Sequence, residues 1–547
     1  MVTCRRVLIT RKCKSLKKKE VPTENFVLEL PLRVEKYQAD ILDKRYEQLR
    51  QLYNYVQGKL LRQYRYFEQM KAYQDCNSIK EKREFFSSHP FHINGIYGRN
   101  KDLLDITFSK FGIFGLVTKL GQKSVGSGYT YTDCGISSTI LAHMSANIWS
   151  AWNKMLNDYH TKRISFKRHG ELNSFGSGKI DNEYFPGLVL RLEKMELDIK
   201  LNGKTGKNAK FITLSILHNP KHADYEMMAL KGGFDSVKVI TVVRRMVRGR
   251  YKYYLQMSIE GEKPKKGRTL GKGTVGIDLG PSTIAVSGNN IASIDKLASK
   301  CDNIEKKIQK LNRKIDRSRR ANNPDNYNED GTYKRGVRLS RNESNRYKAL
   351  RKEKAELQRR QAAIRKLQHI ERANELLKEG DTFVVENNQF KGMAKRSKET
   401  KVDEKTGKMR SKKRSGKSIA NHAPAMFVTI LKNKVESLGG RFEIVNTNNA
   451  ASQYDFTDGS FTKHELSERN ITLSNGDTHQ RDMLAAFNLE HLKYEAKDPK
   501  KYDSEAMHEH YERFCQLERE EIERYKNKEK KDDRSTISAS TIVYDKK

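Results

Sequence analysis

The sequence predicts a multidomain α/β chain. Its first half reads as β-barrel-like, interrupted by a helical insertion after the first strand; its second half sets short buried strands between long insertions. Three observations predict this. The hydrophobic period switches between two and 3.6 along the chain. Two short apolar strands in the second half carry a carboxylate within or at the end of the run, Asp278 and Glu386. A length of 547 residues allows roughly three or four domains.

Taken in order, residues 1–20 form a basic arm, and Asn25 to Leu32 alternates like a strand. From Ile41 to Tyr73 the apolar positions Leu42, Tyr46, Leu49, Tyr53, Val56, Leu60, Phe67 and Met70 recur at helical spacing. Arg45, Arg50, Tyr53, Arg62 and Arg65 on this helix are candidate nucleic-acid contacts, since tyrosines stack on bases while cations meet phosphate. The alternative is a tyrosine-rich core beneath a solvated basic face. A second helix, 137–159, carries the stripe Ile140, Met144, Ile148, Trp152 and Met155. Strands are then predicted at 164–167, 173–175, 187–192 and 211–217, with a long hairpin over 237–243 and 251–259. Lys167 is a further candidate contact.

In the second half, Gly273 to Ser287 predicts two short strands joined by a turn at Gly280-Pro281, with Gly276 and Gly280 leaving room beside the backbone. A charged Asp278 in so apolar a strand needs a partner: backbone hydrogen bonds, or a metal ion. Two helical arms follow, about 296–318 and 342–379; at 1.5 Å per residue the second would reach ~50 Å. Its apolar repeat is too broken for a long coiled coil. Asp381 to Glu386 is the next buried strand. The basic segment 391–417, with Lys395, Arg396, Lys412, Lys413 and Arg414 as candidate contacts, predicts a loop. A helix over 425–438, a strand over 441–445 and a polar stretch over 446–478 come next; Arg481-Asp482 then opens a helix, and a charged helix and a disordered tail end the chain.

Lys+Arg number 107 against 68 Asp+Glu, a net charge of +39. Such an excess implies a polyanionic partner, and no apolar run approaches the ~20 residues a bilayer span needs, so nucleic acid is favoured over membrane. Residues 1–19 lack the apolar core of a signal peptide. The six cysteines contain no Cys-x-x-Cys pair, which fits a reducing cytoplasm and argues against a disulfide scaffold and a thiolate zinc site. The stretch 267–273 (GRTLGKG) imitates a phosphate-binding loop, but it is too short and precedes its strand; it reads as a linker.

Asp278, Glu386 and Asp482 thus stand in comparable settings: strand, strand end and helix start. Two-metal phosphodiester hydrolysis needs acidic ligands converging from separate elements, with ions ~3.5–4 Å apart. The order strand-Asp, insertion, strand-Glu, insertion, helix-Asp is that of a split ribonuclease-H-like nuclease. At these residues the sequence resembles the RuvC nuclease of the transposon-encoded TnpB proteins and the compact type V CRISPR effectors. The motifs are Gly-Ile-Asp278-Leu-Gly, Val-Val-Glu386-Asn-Asn-Gln-Phe-Lys-Gly-Met393, and Arg481-Asp482 with Ala485-Ala486-Phe-Asn488. Ala423 to Phe427, Lys434 to Gly439, Phe166-Lys167 with Ser174-Phe175, and His369 extend the resemblance over most of 25–493.

The resemblance implies an RNA-guided DNA endonuclease. Asp278, Glu386 and Asp482 would hold two magnesium ions, Arg469 would help place the phosphate, and the partners would be a guide RNA and double-stranded target DNA with a short flanking motif. One copy or two could sit on one RNA. It also implies the domain boundaries: 1–36, basic arm and first barrel strand; 37–162, helical recognition insertion; 163–265, the rest of the wedge barrel. RuvC parts would occupy 266–300, 381–450 and 480–547 (the last with the charged tail), around a helical hairpin at 301–380 and a target-binding patch at 451–479. That patch departs from the family. Its zinc ribbon has no cysteines here; the ligand positions hold Asp455, Asp458-Gly459 and Leu473 to Gly476, so no structural zinc is expected, and packing or hydrogen bonds would keep the frame. The rival readings are a nuclease-silent RNA-guided binder and a guide-independent transposase or resolvase.

Overall fold

The computed structural model describes residues 24–93, 104–106, 108–121, 130–157, 164–179, 184–264, 267–329, 331–396, 415–465, 468–493 and 501–531. The basic arm, Lys412, Lys413, Arg414 and the tail after 531 lie outside them. The chain divides into two compact units, Met1–Pro264 and Lys265–Lys547, and both are mixed α/β.

The first unit runs β1 (Asn25–Arg33), α1 (Lys36–Gln69), α2 (Lys71–Gln74), α3 (Ile79–Ser88), β2 (Phe91–Ile93), β3 (Leu104–Ile106), α4 (Lys110–Gly121) and α5 (Ser138–Asn157). It continues β4 (Ser174–Gly178), β5 (Leu188–Arg191), β6 (Glu196–Lys200), β7 (Phe211–Ile216), α6 (Ala223–Ala229), α7 (Gly233–Ser236), β8 (Val237–Val247) and β9 (Arg250–Glu260). Seven strands pair antiparallel in the order β4-β8-β9-β1-β7-β6-β5. The sheet is nearly closed: at its two ends, Ser177 Oγ on β4 donates to the Pro186 carbonyl just before β5, 3.3 Å away, and Thr139 at the start of α5 bonds to both. Alternating sequences dictate the inward faces, as in β7, where every second residue is buried. The β8–β9 hairpin closes through Arg248 and Gly249, both at positive φ, the two-residue turn that matches strand twist.

Helix α1 is long because its apolar residues fall every three or four positions, and Leu42, Tyr46, Leu49, Val56 and Leu60 are all buried. Near its end Phe67 joins Tyr73, Phe85, Phe86, Phe91, Phe108 and Trp152 in one aromatic core, packed edge-on and, for Phe91 on Phe108, stacked.

One predicted strand does not form. Residues 164–167 are irregular, because the Asn54 side-chain amide takes the place of a neighbouring strand. It donates to the Lys167 carbonyl and accepts from the Lys167 N–H, each at 2.8 Å, and Arg50 adds a second bond to that carbonyl.

The second unit runs β10 (Thr274–Leu279), β11 (Thr283–Gly288), β12 (Ile291–Lys296), α8 (Cys301–Asn322), α9 (Asn345–Leu376), β13 (Thr382–Glu386), α10 (Phe390–Met393) and α11 (Gly416–His422). Then come α12 (Pro424–Ser437), β14 (Arg441–Val445), β15 (Asn470–Thr472), β16 (Thr478–Gln480), α13 (Arg481–Glu490) and α14 (Ser504–Lys531). Its main sheet has the order β12-β11-β10-β13-β14; the first three strands form an antiparallel meander, and β13 and β14 run parallel to β10. Parallel neighbours need crossovers, and α8–α9 and α12 supply them. Val275, Ile277, Phe383 and Val385 bury one face against Leu376, Phe427 and Leu431, while Ala285, Ile294 and Val384 bury the other against Met483, Phe487 and Phe514. Burial on both faces is why these strands read as unbroken apolar runs. Gly276 has a specific reason: a Cβ there would lie 2.1 Å from the Ala486 carbonyl, so only glycine lets α13 rest on β10.

Helices α8 and α9 form an antiparallel pair, with Cys301 against Gln361 at one end and Ser318 against Ser344 at the other. His369, fully buried on α9, packs edge-on against Phe427. The described cysteines, Cys76, Cys134, Cys301 and Cys515, are free thiols, and no described helix is long and apolar enough to cross a membrane.

Candidate active site

β10 and β13 pair in parallel, Ile277 opposite Val385, so the next residue of each, Asp278 and Glu386, falls at the same carboxyl end of the sheet. Asn388 ties the two ends together by donating to the Leu279 carbonyl at 2.8 Å. Asp482 enters from the first turn of α13, whose N-cap is the Gln480 side chain, accepting from the Met483 N–H at 2.7 Å.

Asp278 lies within electrostatic reach of both Asp482 and Glu386. Asp278 is pushed up to about 8, first by burial and then by the charges of Asp482 and Glu386, with Arg481 opposing. It keeps some solvent exposure, but its dense surroundings still penalise the charge. Burial alone pushes Glu386 up to about 7. Asp482 meets both local cations: Arg481 lies 3.2 Å from its Oδ1, and Arg469 lies 3.7 Å from its Oδ2. Arg481 is further fixed by the carbonyls of Glu465 and Glu468, at 3.3 and 3.0 Å.

Several supporting residues escaped sequence reasoning. Glu518 on α14 accepts from the Gln480 N–H at 2.8 Å and lies 2.6 Å from His479 Nδ1. Tyr511 lies 2.7 Å from His479 Nε2 and donates to Asp477. Together they lock the β16–α13 junction that presents Asp482. Arg481 had a signal, its place beside Asp482; Glu518 and Tyr511, in a charged terminal helix, had none.

The predicted nucleic-acid contacts separate into two groups. Arg45 is corrected: it is 4% exposed, and its guanidinium donates to the carbonyls of Cys134, Gly135 and Lys200 at 2.7–3.1 Å. Tyr53 is corrected too, being buried with its hydroxyl accepting from Gln57. Arg50 is drawn inward by a bidentate pair with Glu47 and by the Lys167 carbonyl. Lys167 is half-buried, its ammonium 6.0 Å from the Tyr53 ring. Arg62, Arg65, Lys395 and Arg396 are exposed. So are Tyr55 and Tyr66, on the same helix.

In the cysteine-free patch, Asp455 accepts from the Ser474 N–H and hydroxyl at 2.7 and 2.8 Å and from Thr457 at 2.6 Å. Asp458 lies 2.6 Å from the same Ser474 hydroxyl. Asp455 and Asp458 are thus joined through the Ser474 hydroxyl.

No protein-family model matches the sequence, and no curated protein matches it. Among solved structures, one similar to the chain is a Cas12f1–sgRNA–target DNA complex, at 14% identity and a TM-score of 0.43, covering 86% of this chain and 99% of that one. Another is CasPhi-2 (Cas12j) bound to crRNA and phosphorothioate-DNA, at 10% identity and a TM-score of 0.25, covering 86% of this chain and 92% of that one. Both are compact type V CRISPR effectors. At TM-scores below 0.5 the overlap is too loose to carry function across.

Proposed function

We propose that the chain is an RNA-guided DNA endonuclease with a single ribonuclease-H-like site of the RuvC type, built from Asp278, Glu386 and Asp482. One observation carries this reading. Three carboxylates from three separate segments meet at one end of a parallel strand pair; burial pushes Asp278 and Glu386 upward, and the charges of Asp482 and Glu386 add to the rise of Asp278. Folding concentrates negative charge there at a cost that an added cation would relieve. The donors are all hard oxygens, which suits magnesium. Bound there, magnesium ions would activate the attacking water and stabilise the departing oxygen.

The chain's own residues do the rest. Arg481, tied to two backbone carbonyls, positions Asp482. Arg469, held by one long contact, has donors to spare for a phosphate oxygen. The +39 charge and the exposed Arg62, Arg65, Tyr55 and Tyr66 suit a structured RNA and the heteroduplex it would form, so that base pairing supplies specificity and the protein reads shape and a short flanking motif. Such a protein would work in the cytoplasm.

The test begins by extracting and sequencing RNA from the purified protein, then supplying DNA matched to that RNA, with magnesium. Asp278→Ala, Glu386→Gln and Asp482→Ala should keep the RNA and lose cleavage by at least about 100-fold. If no RNA co-purifies and none binds tightly, the guided reading fails. Cleavage by Asp278→Ala at the parent rate would sink the catalytic assignment. RNA-dependent DNA binding without cleavage by the parent itself would identify a nuclease-silent binder.

A further inference from the structure

We propose that Glu490, His491 and His510 form a second metal site, for a zinc-class divalent ion, that pins α14 to the end of α13. One donor atom from each residue lies within 4.8 Å of the others. Glu490 and His491 are buried and His510 is half-buried. The site sits at the far end of α13 from Asp482, eight residues or about 12 Å along the helix.

Hydrogen bonding orients His491 and Glu490 before any ion arrives. An ion would take the place of the proton that His510 Nδ1 shares with His491 Nε2, that proton moving to His510 Nε2 or to solvent. His491 Nδ1 is 2.9 Å from the Phe487 carbonyl, which can only accept. The proton is therefore on Nδ1, and Nε2 presents its lone pair towards His510 Nδ1, 2.9 Å away. A backbone carbonyl on the far nitrogen is the usual device for orienting a metal-bound imidazole. The Glu490 carboxylate is oriented by Ser287 Oγ at 2.6 Å and Arg513 at 3.1 Å, and each oxygen keeps a further lone pair.

The donor set also selects the metal. Arg513 already donates to Glu490, so an ion bound by charge alone, such as magnesium or calcium, gains little here. Two imidazole nitrogens favour zinc, cobalt or nickel. Three protein ligands leave the fourth position of a tetrahedral ion to water.

The experiment titrates the full-length protein with Co2+ in excess magnesium, which occupies hard-oxygen sites, and reads visible ligand-field absorption. One equivalent should bind with tetrahedral bands and be displaced by Zn2+. His510→Ala should weaken binding about 100-fold, and Glu490→Gln at least about tenfold. If His510→Ala melts early without metal, His510→Asn keeps a donor for His491 Nε2 while removing the imidazole, and should bind equally poorly. Absence of the bands in the parent, or unchanged affinity in His510→Asn, would reduce the cluster to a hydrogen-bonded pair. The readout involves neither RNA nor cleavage, so it fails or succeeds apart from the nuclease reading.

Discussion

Asp278 titrates in the direction opposite to a salt-bridged carboxylate. Its native pKa lies well above the unfolded value near 3.9, so between about pH 4 and pH 8 the folded protein binds more protons than the unfolded one. Stability therefore falls as pH rises through that window, and Glu386 adds a loss of the same sign up to about 7. Asp278→Asn, which cannot charge, should melt above the ion-free parent by about 2 °C or more at pH 8 and show little difference at pH 4. Magnesium should raise the melting temperature of the parent and not of the variant. A parent as stable at pH 8 as Asp278→Asn, without metal, would remove the charge-crowding argument. This residue was legible because an Asp inside Val-Gly-Ile-Asp-Leu has no apolar reason to be there. Arg45 was misread although its spacing held the answer. It lies three residues after Leu42 and four before Leu49, on the buried stripe, whereas Arg62 and Arg65 fall away from the stripe beyond Leu60.

Elements were legible where one periodicity dominated and illegible where a tertiary partner replaced local signals. β10 and β13 declare themselves by apolar runs between glycines and charges. β6, with Glu196, Asp198 and Lys200 in five residues, hides among polar turns. The 164–167 segment fails as a strand because a helix side chain takes its ladder bonds. The patch after Ser452 shows the same substitution in another form. Hydrogen bonds to Ser474 join Asp455 to Asp458 across a stretch with no strand ladder of its own. The shared hydroxyl carries one proton, so it serves one carboxylate at a time while the Ser474 N–H holds Asp455. Burial resists ionisation of Asp455, yet its hydrogen bonds together hold the carboxyl below its usual range. Ser474→Ala removes the shared donor, and amide exchange over 470–480 should quicken roughly fivefold, the worth of one hydrogen bond. Unchanged exchange would mean that packing of Ile471 and Leu473, both buried, holds the patch without help.

At the scale of the whole molecule, a net charge of +39 sets the physics of association. Each phosphate neutralised by Lys or Arg releases condensed counterions, so RNA affinity should fall log-linearly with salt, more steeply the more phosphates are met. Composition makes that property legible, but not which cations contribute. Arg45 counts towards the charge yet spends its donors on three carbonyls inside the first unit. Arg62 and Arg65 count equally and face solvent. Arg62→Ala and Arg65→Ala together should therefore shallow the slope of log affinity against log salt by roughly 1–2 while leaving the melting temperature within about 1 °C. Arg45→Met should do the reverse. It strands buried carbonyls at a cost of about 3 kcal/mol, lowering the melting temperature without changing the slope. Filter binding over a salt series, with thermal melts alongside, separates the two outcomes. An unchanged slope in the double variant would move the RNA contact off α1, towards Lys395 and Arg396, where the same series can be repeated. The division between cations that hold the fold and cations that meet phosphate is thus set by where each lies relative to the apolar stripe of its own helix.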